Sequence, residues 1–185
     1  MRIALLAACT AIGMVTACST TPPPVTPAPP APGTAHNAVA NLAAASGSLV
    51  SGKLTLMPMG GGVHIAGDIG GLAPGSTHGF HIHEKGDCSA ADASSAGGHF
   101  NPTASAHGRA DMSPHHAGDI DNIVADASGV AHVNTHVVGI ALGGGGSNDV
   151  AGRAIVVHAA PDDYTSQPSG NAGARIACGV ITIIN

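Results

Sequence analysis

His78-Gly79-Phe80-His81-Ile82-His83-Glu84 is the stretch on which the reading of this chain turns. In an extended strand, successive side chains point to opposite faces, so His81 and His83 lie side by side. Two imidazoles so placed can grip one metal ion. The pattern continues through Ser95-Ala96-Gly97-Gly98-His99-Phe100-Asn101-Pro102, then His107-Gly108, then His116-Ala117-Gly118-Asp119. Those loop-like spacings let three ring nitrogens and one carboxylate oxygen converge. This is the donor set of a closed tetrahedral zinc site.

Working outward, short Val, Ile and Leu runs broken by glycine point to strands and tight turns rather than helices. Gly47–Met59 and Val63–Leu72 read as an opening hairpin around Gly60-Gly61-Gly62. Further strands are expected at Gly79–Glu84, Gly118–Val124, Val130–Val137, Ala154–His158 and Ala174–Ile184. Two stretches lack any strand period, Gly86–Met112 and Pro161–Gly173, and loops of that length in a small domain usually carry function. The fold class is therefore all-β: a Greek-key β-sandwich or flattened eight-stranded barrel with two long functional loops.

Composition agrees. The 185 residues include 27 Gly, no Trp, one Tyr and two Phe, so the core must be aliphatic. The formal charge of −5, with only six Lys and Arg, excludes the basic face that nucleic-acid binding needs.

The N-terminus reads as a targeting segment. Met1-Arg2 supplies a positive start, and an apolar run to Val15 follows, too short for a spanning helix. Val15-Thr16-Ala17-Cys18 is similar to a bacterial lipoprotein box, with a plain signal cut near Ala17 as the alternative. Residues 1–17 are then a lipoprotein-type signal peptide, Cys18 the lipidated first mature residue, and residues 18–35 a Pro-rich tether. The protein is expected to be exported to the periplasm, touching membrane only through that lipid, with the outer membrane as destination. Cys9 leaves with the signal, so Cys88 and Cys178 remain to pair in an oxidising compartment.

From Gly47 to Ile184 the chain resembles the copper–zinc superoxide dismutase family, its exported bacterial branch in particular. The resemblance rests on Gly79–Glu84, Ser95–Pro102, His116–Asp119, Val156-Val157-His158-Ala159-Ala160-Pro161-Asp162-Asp163 and Gly170–Gly179. It implies a domain over residues 36–185, one copper and one zinc per subunit, and dismutation of superoxide to dioxygen and hydrogen peroxide. Copper would be held by His81, His83, His99 and His158, and zinc by His99, His107, His116 and Asp119. His99 would bridge the two ions and take part in catalysis. Asp162 would accept hydrogen bonds from His81 and His107, and Arg175 would attract the superoxide anion. His78 is expected to bond backbone, and both Phe to pack near the site. His36, His64, His115, His132 and His136 are expected to be ordinary surface or core histidines, Asp163 a solvated aspartate, and Glu84 and Lys85 plain surface charges.

Two features depart from the family pattern. The second loop lacks the Glu and Lys residues that steer substrate in eukaryotic members. With so few aromatics, a monomer or at most a weak homodimer is expected. A copper or zinc reservoir and a zinc hydrolase are the rival readings; a catalytic zinc needs an open position, and four donors leave none.

Overall fold

The computed structural model describes residues 37–184. The signal peptide, Cys18, the tether and His36 lie outside the described residues. Eight strands follow in order: β1 Asn37–Ala44, β2 Ser51–Met59, β3 Gly62–Gly70, β4 Thr77–His83, β5 Asp119–Val124, β6 Ala131–Val138, β7 Ala154–His158 and β8 Arg175–Ile184. Every pairing is antiparallel, in the order β5-β4-β7-β8-β1-β2-β3-β6. The sheet curls into a nearly closed Greek-key barrel. Its ends, β5 and β6, face one another across a groove lined by residues of both.

The local chemistry explains the strands. Along β2, Leu54 and Leu56 are fully buried while Lys53, Thr55 and Met57 are exposed, the period of two that a half-buried strand requires. The β2–β3 turn places Gly60 at φ +48° and Gly61 at +82°. A two-residue hairpin with positive φ at both positions matches the twist of its strands, and glycine adopts it without strain. Leu54, Leu56, Ile65, Ile69, Phe80, Ile82, Ile155, Val157 and Ile181 join in one core. Each such apolar side chain contributes about 1.5–3 kcal/mol on full burial.

β4 and β7 differ from β2 because both of their faces are covered. Phe80 and Ile82 of β4, and Ile155 and Val157 of β7, point into the main core. The opposite face carries His81 and His83 on β4. On β7 it carries Ala154 and Val156, which pack in a second cluster with Ala93, Ala96 and Cys178 beneath the first loop. Cys88 and Cys178 form a disulfide that fastens this loop to β8 across 90 residues.

Two sequence expectations need correction. The barrel opens with β1, Asn37–Ala44, for which no strand was expected, and residues 47–50 precede β2 rather than beginning it. Ala38, Ala40 and Leu42 do alternate inward. Alanine is depleted in strands, however, and gives little local signal. The span after Val138 is a loop whose Gly143, Gly145 and Ala151 N–H groups are gathered by the Asp149 carboxylate.

Candidate metal centre

The outer face of the β4–β7 pair is the floor of the site. His81 and His83 rise from β4 and His158 from the end of β7, and the two loops close over them: residues 84–118 and residues 159–174. The first loop is not free to wander. His83 and His99 form a backbone bridge, Phe100 N–H donates to Ile82 O (2.8 Å), and Gly118 N–H donates to Phe100 O (2.9 Å). Residues 99–100 thus lie against β4 like a short extra strand, setting the His99 ring 4.0 Å from that of His81.

His81, His83, His99 and His158 offer one nitrogen each within 4.8 Å of one another, and His99, His107, His116 and Asp119 form a second such group. His99 belongs to both. All seven side chains are buried.

The hydrogen bonds decide which nitrogen of each ring is bare. His83 Nδ1–H donates to Gly97 O (2.9 Å) and His158 Nδ1–H to Gly173 O (3.2 Å). A carbonyl only accepts, so both protons sit on Nδ1 and both Nε2 atoms are lone pairs. Those two Nε2 atoms lie 3.3 Å apart, a repulsive approach unless a cation lies between them. His81 Nε2–H donates to Asp162 Oδ2 (2.8 Å) and His107 Nε2–H to Asp162 Oδ1 (2.9 Å). Their Nδ1 atoms, with His99 Nε2, are buried and without a hydrogen-bond partner. Buried polar atoms are rarely left so, and here all three belong to groups of converging donors that could hold a cation.

The second group converges on one oxygen. Asp119 Oδ2 accepts the N–H groups of Gly108 (3.1 Å) and His116 (2.8 Å). Asp119 Oδ1 is left facing His99 Nδ1 at 2.7 Å, His107 Nδ1 at 3.1 Å and His116 Nδ1 at 3.2 Å. Burial works against the carboxylate, but the His99 bond and these two N–H groups outweigh it and hold Asp119 well below the ordinary carboxylate range. Desolvation pushes His81 down to about 4 despite its bond to Asp162. It pushes His158 down to about 3 and His83 well below 6.5. All three are therefore neutral at physiological pH, the form that binds metal.

These donors fit the two ions the resemblance implies. Four imidazoles suit copper, and three imidazoles with one carboxylate suit zinc.

At the mouth of the site, Arg175 stands with His83, His99 and His158, half-buried. Its Nη1 donates to Ala93 O and its Nη2 to Gly97 O, both at 2.6 Å. Gly97 O also receives His83 Nδ1–H, so one carbonyl ties the guanidinium to a ring of the first group. Asp162 is buried, and its bonds to His81 and His107 are those expected; they hold its pKa down against burial.

Residues 50–181 match the family model Copper/zinc superoxide dismutase (SODC). The chain belongs to the copper/zinc superoxide dismutase family. It is 42% identical to Superoxide dismutase [Cu-Zn] 2 of Aquifex aeolicus over 77% of this chain and 84% of that one. It is likewise 42% identical to Superoxide dismutase [Cu-Zn] of Caulobacter vibrioides, over 71% of this chain and 78% of the other. Among solved structures, a superoxide-dismutase-like protein from Bacillus subtilis superposes with a TM-score of 0.69 at 37% identity, covering 76% of this chain and 95% of that chain. The clock protein EA4 superposes at 0.73 and 38% identity, covering 82% and 96%.

Among the described residues, the histidines outside the site behave as expected. His78 Nδ1–H donates to His158 O (2.7 Å), while His132 and His136 are exposed and His64 is partly buried on the strands. His115 bonds the His116 carbonyl. Phe80 and Phe100 are buried, with Arg153 stacked 3.8 Å over the Phe100 ring.

Two aspects were missed. Glu84 is exposed but not idle, since Oε1 accepts Gly98 N–H (3.2 Å) beside His99. Asn122 pairs with both backbone groups of Asp162: Asp162 N–H donates to Oδ1 (2.8 Å) and Nδ2–H donates to Asp162 O (2.9 Å). A lone Asn in a strand gives no sequence signal of such a role.

Proposed function

We propose that the protein dismutates superoxide, converting two superoxide anions and two protons to dioxygen and hydrogen peroxide. The observation that carries this reading is the single His99 ring: Nδ1 faces the Asp119 group, and the unpartnered Nε2 is aimed at the His81–His83–His158 group. His81, His83, His99 and His158 would hold copper, and His99, His107, His116 and Asp119 would hold zinc. Bound copper supplies one-electron redox chemistry, with zinc as its fixed structural partner.

The chain's own residues do the rest. His83 and His158 keep their Nε2 lone pairs directed inward because their Nδ1 protons are committed to carbonyls. Asp162 does the same for His81 and His107. His99 Nε2 is the buried atom that can take up a proton and deliver it to departing product. Arg175 offers a permanent positive charge and a fork of donors to a small anion. The chain is acidic overall, so this guanidinium must focus attraction locally in the mouth.

The protein is further proposed to be exported, lipid-anchored at Cys18 and held in the periplasm by its Pro-rich tether. It would face the outer membrane as a monomer or weak homodimer. The Cys88–Cys178 disulfide supports an oxidising compartment. The test is superoxide consumption by purified protein carrying copper and zinc in equal amounts, with the Cu(II) paramagnetic resonance spectrum recorded alongside. Turnover that vanishes on copper removal is expected. Both metals bound without turnover would refute the dismutase assignment.

A further inference from the structure

The second loop lacks the charged residues that would make it a guide for substrate, yet it is tightly built. The Asp163 carboxylate accepts the N–H groups of Thr165 (2.9 Å) and Ser166 (2.7 Å) together with the Ser166 hydroxyl (2.6 Å). Gly170 N–H donates to Ser166 O (2.7 Å) and Asp163 N–H to Gly170 O (2.9 Å), closing the loop on itself. Gln167 is presented between these two closures.

Its side-chain amide reaches across to the first loop. His107 N–H donates to Gln167 Oε1 at 2.9 Å, and Gln167 Nε2–H donates to His107 O at 2.9 Å. Two antiparallel bonds between an amide and one residue's backbone reproduce a β-bridge and fix both position and plane. Neither backbone group of His107 takes part in a backbone–backbone bond among the described residues. His107 is buried, so without Gln167 both groups would be orphaned. The His107 ring is held by the same loop, through Asp162. His99 and His116 are secured differently, by β4 and by Asp119.

We propose that Gln167 is a positioning residue for the second donor group, and that the short second loop is a latch that keeps His107 aimed at the ion. This rests on the two-metal reading above. The loop then serves zinc retention where a longer, charged loop would serve attraction of the anion.

The experiment compares the metal-loaded protein with its Gln167→Ala and Gln167→Glu variants, measuring zinc and copper affinity separately by chelator competition. Supporting partners of metal-bound histidines are worth about 10–100-fold in affinity, so zinc affinity should fall by that factor in Gln167→Ala while copper affinity stays close to the parent's. Gln167→Glu retains bulk but turns a carboxylate oxygen on the His107 carbonyl, and should lose zinc as readily. It also keeps the test open should the alanine variant not fold. In the metal-free protein the His107 amide should exchange with solvent faster in both variants. Parent-like zinc affinity, an equal loss of both metals, or rescue by Glu would each overturn the latch. A parent protein that binds both metals but consumes no superoxide refutes the dismutase reading and leaves the latch standing. A parent that takes up no zinc sinks both.

Discussion

Substituting Asn for Asp162 should weaken one metal group and spare the other, and the direction follows from which oxygen receives which proton. Oδ1 accepts Tyr164 N–H (2.7 Å) as well as His107 Nε2–H, whereas Oδ2 accepts His81 Nε2–H alone. With two N–H groups aimed at one position, the carboxamide oxygen of Asn must occupy the Oδ1 place. Its NH2 then replaces Oδ2 and opposes His81 Nε2–H, donor against donor. His81 escapes by moving its proton to Nδ1, which blocks the nitrogen that faces the first group. Losing such a partner costs about 10–100-fold in metal affinity, equivalent to roughly 1.4–2.7 kcal/mol at 1.36 kcal/mol per decade. Asp162→Asn should therefore lose copper affinity by that factor and keep zinc near parent strength. Competition titration of the metal-free variant with each ion, read with the Cu(II) resonance spectrum, measures it. Unchanged copper affinity, or a loss confined to zinc, would refute the reasoning.

Arg175→Ala should lower the superoxide rate by about tenfold or more and flatten its dependence on ionic strength, since focusing of charge raises encounter rates by at least that factor; a parent-like rate and salt slope would contradict the role. Replacing Cys88 and Cys178 together by Ser removes a link across 90 residues and should cost roughly 4–5 kcal/mol in a guanidinium unfolding experiment. Equal midpoints would show that the link is not stabilising. His132 lies 2.7 Å from Asp68 and 3.5 Å from Asp126 on the barrel surface. Its pKa is raised above 6.5, chiefly by the Asp68 hydrogen bond. A raised folded pKa stabilises the protein fully below 6.5 and loses that contribution as pH rises through the raised value. The parent should accordingly melt above His132→Ala in acid, with the difference shrinking on the alkaline side; a pH-independent difference would be evidence against the pair.

The donor residues were readable from sequence partly by spacing, with His81-Ile82-His83 on one strand face and His116 three residues before Asp119, and for the full sets, His158 included, through the family resemblance. β7 was readable because its Ile155-Val156-Val157 run carries a strong strand signal, and β4 because Phe80 and Ile82 alternate with His81 and His83. β1 was not, because Ala38 and Ala40 are buried beside β8 yet carry little strand preference of their own. The supporting polar residues were hidden for a different reason. Asn122 and Gln167 bond backbone groups 40 and 60 positions away. Only folding brings such partners together, and an isolated amide looks like any solvated one. Glu84 was misread as a plain charge on the same grounds.

The two donor groups also differ in how far along the chain their members are scattered. His99 and Asp119 are 20 residues apart, while His83 and His158 are 75 apart. Ring-closure statistics make the longer excursion about 1.2 kcal/mol costlier for an unfolded polypeptide. The local quartet spans the shorter excursion, yet His107 still leans on Asp162 and Gln167 beyond β7, so both cradles are completed only when β7 has docked beside β4.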